Sequence, residues 1–157
     1  MNIDAGDIAP DFSLPDQHGN LITLSHLRGQ PVLIYFYPRD ETPGCTTQAQ
    51  GIRDAWEQFQ SRGVQVLGVS PDSSESHAAF GANHDLPHTL LADVDHEVMD
   101  TYGAWGEKVL YGRTSVGVIR SSVLVGADGV VVKVWRRAQA QSHAEQVLAA
   151  IDQLLPG

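Results

Sequence analysis

A mixed α/β fold, with a central sheet flanked by helices, is predicted by three features. They are a strand–helix–strand run over residues 32–69, a late hairpin around Gly126-Ala-Asp-Gly129, and an amphipathic C-terminal helix. Leu21–Leu24 reads as a short strand after the turn-like Asp16-Gln-His-Gly-Asn20. Val32–Tyr37 is apolar or aromatic on both faces, the pattern of a strand covered on both sides. Thr46–Ser61 places Ile52, Ala55, Trp56 and Phe59 on one helical face, and Gly63 after Arg62 is a stop signal. Val64–Val69 is again a buried strand, so these elements form a β-α-β unit with parallel strands and a right-handed crossover. Ser74–Asn83 and Glu97–Tyr102 read as helices with a short Leu90–Leu91 strand between them. Ser121–Val125 and Val130–Trp135 flank the Asp-Gly tip of the hairpin, and Ser142–Leu155 carries Val147, Leu148, Ile151, Leu154 and Leu155 at helical spacing. The expectation is one domain over 1–157, with five or six strands, antiparallel additions to a parallel core, and helices on both faces.

Composition narrows the functional classes. The chain has 157 residues, 42% of them apolar, which fits a globular domain with a proper core. Ten Lys and Arg against nineteen Asp and Glu give a net charge of −9, which disfavours a nucleic-acid partner. No apolar stretch approaches the roughly 20 residues that span a bilayer, and Met1–Asp7 has neither the basic nor the apolar region of a secretory signal. A cytoplasmic setting without a membrane partner is expected. A lone cysteine, Cys45, excludes an intramolecular disulfide and a multi-cysteine zinc site.

Cys45 lies in Tyr37-Pro-Arg-Asp-Glu-Thr-Pro-Gly-Cys-Thr-Thr, after a buried strand and at the start of a helix. Unpaired amide N–H groups and the positive end of the helix dipole favour an anion there. An ordinary thiol with pKa about 8.5 is only a few per cent ionised at pH 7, and lowering it by two units corresponds to roughly 2.7 kcal/mol. Packing as a small apolar residue is the competing use of such a cysteine. Its neighbours argue for chemistry: Pro38 and Pro43 restrict the loop, Gly44 permits close backbone approach, and Thr42 offers a hydroxyl three residues before the thiol.

The segment Tyr35-Phe-Tyr-Pro-Arg-Asp-Glu-Thr-Pro-Gly-Cys-Thr-Thr47 resembles the active-site segment of the peroxiredoxins, in particular the bacterioferritin comigratory protein (BCP) or PrxQ subfamily. The resemblance runs along nearly the whole chain, through Ala9–Asp16, Gly51–Asp54, Val69–Asp72, Leu90–Asp93, Tyr102–Glu107 and Gly117–Ser122. It implies a thioredoxin-like fold and a thiol peroxidase. Pro38, Thr42 and Cys45 fill the Pro-x-x-x-Thr-x-x-Cys pattern, and the distant active-site arginine falls on Arg120. On this resemblance Cys45 is the peroxidatic nucleophile, Arg120 stabilises the thiolate and polarises the peroxide, Thr42 hydrogen-bonds the substrate and Pro38 covers the pocket. Pro43, Gly44, Gln48 and Trp105 are the further residues expected around the substrate.

Two positions depart from the family pattern. Many members carry a second, resolving cysteine five residues after the first, where this chain has Gln50, and no other cysteine is present. A one-cysteine enzyme is implied, reduced by an outside thiol such as thioredoxin, a glutaredoxin or a low-molecular-weight thiol. Gln48 stands where many relatives have Glu, which implies a more cationic pocket and an arginine without an ionic anchor. Neither a metal nor another cofactor is expected.

Other chemistries are weaker. His84-x-x-x-His88 with His77 is the best local metal cluster, but Pro87 and the turn-like Asn83-His-Asp85 spoil a helical ligand face. A cysteine–histidine hydrolase would need one of seven His beside the thiol, and a cysteine phosphatase would need an arginine closer than Arg53. Trp56 and Trp135 read as core or pocket wall. A peroxide sensor and a non-catalytic interaction domain are the alternative functions, and the chain is expected to be a monomer or weak homodimer.

Overall fold

The computed structural model describes residues 3–155, the side chain of Leu110 excepted, so residues 1, 2, 156 and 157 of the expected 1–157 domain lie outside the described residues. The elements are β1 (Ser13–Pro15), β2 (Leu21–Thr23), β3 (Val32–Phe36), α1 (Pro43–Asp54), α2 (Trp56–Ser61), β4 (Gln65–Ser70), α3 (Ser74–His84) and β5 (Thr89–Ala92). They continue with α4 (Glu97–Thr101), β6 (Trp105–Leu110), β7 (Arg113–Val118), β8 (Ser121–Val125), β9 (Val131–Trp135) and α5 (His143–Leu154). The central sheet has the order β5-β4-β3-β8-β9, with β3, β4 and β5 parallel and β8 and β9 antiparallel additions. This is the expected mixed α/β arrangement.

The all-buried sequence of β3 divides the core by its period of two. Val32, Ile34 and Phe36 pack toward Met99 of α4, whereas Leu33 and Tyr35 pack toward Ile52, Phe59, Phe80 and Ile151 of α1, α2, α3 and α5. Helices therefore cover both faces, with four on one and one on the other. Gly68 of β4 sits opposite Tyr35, and a Cβ at Gly68 would lie 2.8 Å from the Tyr35 ring and hydroxyl. The glycine makes room for that tyrosine beneath α1.

Three local expectations need correction. The helix expected over Thr46–Ser61 starts earlier, at Pro43, and divides at Ala55, whose φ of −98° and ψ of 11° leave the helical region. The division lets α2 bury Phe59 completely and lay Trp56 beside His88. β1 was not expected, and it pairs antiparallel with β2 across the Asp16 turn, where Asp16 Oδ1 accepts from the amides of His18 and Asn20. The hairpin β6–β7 was also unforeseen, because Val109 and Val116 are 70% and 63% exposed and give no core-facing alternation. Its signal was Tyr111-Gly112, a two-residue loop with φ of 54° and 75° at the two positions, the backbone of a type I′ turn.

Candidate active site

Thr42 is the N-cap of α1 and Pro43 occupies the first turn, where a missing N–H costs nothing and a fixed φ is already helical. The first helical bond runs from the Thr46 amide to the Thr42 carbonyl, 2.9 Å. The amides of Gly44 and Cys45 therefore precede the intrahelical ladder and point off the N-terminal end. Thr42 does not use its side chain as a cap. Its hydroxyl donates to the Arg39 carbonyl at 2.8 Å, so the proton is committed and the oxygen is left as an acceptor.

Cys45 is 1% exposed. Arg120, between β7 and β8, reaches it across the fold: Nη2 donates to Sγ at 3.4 Å while Nη1 donates to Gln48 Oε1 at 2.6 Å. The backbone of this segment is fixed by bonds from Ile119 N–H to the Ala104 carbonyl, 2.7 Å, and from Ala138 N–H to the Arg120 carbonyl, 2.9 Å. A Cβ at Gly44 would come within 3.0 Å of Arg120 Nη2, so the guanidinium lies against bare backbone. Among the described residues Arg120 forms no ion pair with a carboxylate. Gln48 is neutral, and the sulfur is the other group that the guanidinium side chain contacts.

The shell behind the sulfur is polar but uncharged. Tyr35 pairs its hydroxyl with His88 Nε2 at 2.7 Å, and His143 Nε2 pairs with Ser122 Oγ at 2.6 Å. Burial, then neighbouring His143, pushes His88 down to about 3, and burial, then the charge of Arg120, pushes His143 down to about 4. Burial chiefly drives the Tyr35 hydroxyl well above its ordinary value, with the nearby Cys45 adding to the effect.

The loop before Cys45 is tied to α3 at two points that sequence reasoning missed. Asp40 accepts from Tyr37 Oη at 2.6 Å and from Ser76 Oγ at 2.7 Å, and it pairs with His77 Nδ1 at 2.7 Å. Burial alone would raise the Asp40 carboxyl, but hydrogen bonds led by His77 and Tyr37 hold it below its ordinary value. Glu41, at φ 65°, pairs with His84 Nε2 at 2.6 Å and accepts from Asn83 Nδ2 at 2.7 Å. The α3 partners Ser76, His77, Asn83 and His84 lie more than thirty residues away in sequence, so local pattern carried no sign of them beyond the chemical types. His77, His84 and His88 thus have separate partners, Asp40, Glu41 and Tyr35, and among the described residues no group of three or more His, Cys, Asp or Glu could hold a metal.

The fold thus assembles Cys45, Thr42, Pro43, Gly44, Gln48 and Arg120. Pro38 and Arg120 line one groove, whose far wall comes from β6 and β7. Trp105 stands apart, stacked on His96 with ring centroids 3.8 Å apart and planes at 2°. Its apolar surface joins the core on the α4 side, and Glu107, Lys108 and Val109 form the groove wall instead.

The AhpC/TSA family pattern matches residues 5–134. Peroxiredoxin Bcp of Escherichia coli K12 is 46% identical over 144 residues, covering 92% of each chain. Peroxiredoxin Bcp of Bacillus subtilis is 38% identical over 151 residues, covering 96% of each. Among solved structures, Xylella fastidiosa PrxQ superposes with a TM-score of 0.90 at 30% identity over 98% of both chains. The Xanthomonas campestris bacterioferritin comigratory protein, described for its alkyl peroxide reduction activity, gives 0.88 at 34% identity over 96% of both. The chain belongs to the AhpC/TSA family, and its fold is the thioredoxin-like one of the thiol peroxidases. Within that class it is a peroxiredoxin of the Bcp/PrxQ group, in a one-cysteine form. No helix among the described residues is long and apolar enough to cross a membrane.

Proposed function

We propose that Cys45 is the peroxidatic cysteine of a thiol-dependent peroxidase acting on hydrogen peroxide and organic hydroperoxides. The observation that carries this reading is the 3.4 Å contact from Arg120 Nη2 to a sulfur at the start of α1. The thiolate attacks the terminal oxygen of the hydroperoxide, the O–O bond breaks, and the departing oxygen takes a proton to leave as water or an alcohol. Cys45 becomes a sulfenic acid. Arg120 offsets the charge on sulfur and on the departing oxygen, in a setting already dry and fixed. Thr42 Oγ1, its proton spent on Arg39, accepts from the peroxide hydroxyl. The Gly44 and Cys45 amides donate to the peroxide oxygens, Pro43 starts the helix that aims them, Gln48 holds Arg120, and Pro38 covers the site.

The sequence contains one cysteine, so an outside thiol must return the sulfenic acid to the thiol. Thioredoxin, a glutaredoxin and small thiols are the candidate reductants. No step requires a metal or prosthetic group. The whole chain acts as one domain, as a monomer or weak homodimer, in a cytoplasmic setting that keeps a lone thiol reduced.

The test is intact mass after mixing reduced protein with one equivalent of hydrogen peroxide for seconds. Gain of a single oxygen, captured at Cys45 by a sulfenic-acid trap and lost in Cys45→Ser, is expected. An unchanged mass over minutes would overturn the assignment.

A further inference from the structure

Beside Arg120 lies a groove of about 640 Å³, a size suited to a small molecule. Lys108, Arg120, Arg136 and Arg137 line it, four of the ten Lys and Arg in a chain whose net charge is −9. Glu107 is the carboxylate on its wall, and Val118 and Val134 contribute apolar surface. Three of the cations are held in place. Arg120 is fixed on Cys45 and Gln48, Lys108 Nζ donates to the Val118 carbonyl at 2.9 Å, and Arg136 is tied to Asp4 and to the Ile3 carbonyl. Arg137 is exposed at the rim. A cationic groove in an acidic protein concentrates small anions beside the one arginine that touches the sulfur.

We propose that this groove docks the reductant, and that the reductant is a low-molecular-weight thiol of peptide size bearing carboxylates. The inference rests on the peroxidatic role of Cys45. It follows from three features taken together: one cysteine in the sequence, a sulfur only 1% exposed, and the charge of the groove. A slender thiol whose carboxylates rest on Arg137 and Lys108 would bring its sulfur to the end of the groove formed by Pro38 and Arg120, the arginine that touches Sγ. The incoming thiolate attacks Sγ of the sulfenic acid and displaces hydroxide, which is protonated to water, leaving a mixed disulfide. A second molecule of the thiol attacks the small-molecule sulfur, releasing the symmetrical disulfide and the Cys45 thiolate.

Glutathione, which carries two carboxylates, and cationic cysteamine are the probes. Protein first oxidised with one equivalent of hydrogen peroxide, and verified by mass to carry one added oxygen, is mixed with each at equal thiolate concentration. Glutathione should reduce it about tenfold faster at low salt, with the advantage shrinking as salt screens the groove. Arg137→Glu and Lys108→Glu should each lower the glutathione-to-cysteamine rate ratio severalfold. A wild-type ratio near one, or a ratio insensitive to salt, would overturn the proposal whatever the variants do. So would variants that keep the ratio but slow oxidation by a carboxylate-bearing hydroperoxide, since the groove would then serve the peroxide. Absence of the added oxygen would instead sink the peroxidatic assignment, and the proposal with it.

Discussion

Arg120 and Gln48 are joined by a 2.6 Å hydrogen bond across 72 residues of sequence, and this bond sets the other guanidinium nitrogen 3.4 Å from Cys45 Sγ. The planar fork of arginine makes both contacts with one rigid group. Gln48 is fully buried, and its Nε2 has no partner within the described structure, so the residue is spent on orienting the arginine. The arginine has no ionic anchor among the described residues, as the sequence implies, and the amide oxygen of Gln48 holds it by a hydrogen bond instead.

Arg120→Lys should keep a positive charge yet lose most of the rate. A single ammonium cannot hold Gln48 and Sγ in the same geometry, and Gln48 Oε1 would compete for it. Oxidation of Cys45 by hydrogen peroxide, followed by stopped-flow tryptophan fluorescence, is expected to slow on the order of a hundredfold, about 2.7 kcal/mol of lost transition-state stabilisation. Retention of more than half the wild-type rate would mean that charge alone suffices.

Gln48→Glu changes the charge while preserving the shape. The carboxylate would pair with Arg120 and compete with the thiolate for the same cation, and a second negative charge would stand one helical turn from sulfur. Oxidation by hydrogen peroxide should slow on the order of tenfold, with the folded structure kept. A faster variant would show that firmer positioning of Arg120 outweighs its partial neutralisation.

The main sheet and the nucleophile were legible because their signals are local. The five buried residues of Val32–Phe36, the Asp-Gly tip at Asp128-Gly129, and Pro43-Gly44-Cys45 at a helix start all lie within a few neighbours. Arg120 was located by family pattern alone, since nothing within its own segment points toward Cys45. The Asp40–His77 tie, the Glu41–His84 tie and the neutral His88 and His143 were not legible. Each depends on side chains brought together by the crossover and by α3 or α5, and burial, which decides whether a histidine is charged, is a property of the folded chain. The β6–β7 hairpin escaped for the opposite reason: it buries too little to show a pattern.

Stability should fall on mild acidification because of two buried histidines. Burial pushes His88 down to about 3 and His143 to about 4, whereas the unfolded chain binds those protons near pH 6.5. Unfolded chain then binds more protons than folded chain, so their contribution is complete above about pH 6.5 and is lost as pH falls toward the folded values. Asp40, held below its ordinary 3.8, adds its own loss only in stronger acid. Between pH 6.5 and 4.5 each histidine contributes on average about 1 kcal/mol per pH unit. Denaturant titrations across this range should give a slope that His88→Gln roughly halves. An unchanged slope in that variant would mean His88 does not titrate between the two states.

Gly44→Ala separates catalysis from stability most cleanly. The glycine sits in the first turn of α1 with no positive φ, so alanine is allowed by the backbone and favours the helix by up to about 1 kcal/mol. The added methyl, however, would meet Arg120 Nη2 at 3.0 Å, and the guanidinium, being the end of a flexible side chain, would give way. A shift of a few tenths of an ångström lengthens the bond to Sγ, already 3.4 Å, and loosens the one to Gln48. The variant should unfold at an equal or higher temperature and yet oxidise with hydrogen peroxide on the order of tenfold more slowly. Paired measurements on one preparation decide it. A variant both stable and fully active would mean that Arg120 can retreat from Gly44 without leaving the sulfur, and that the bare backbone at this position serves only the helix start.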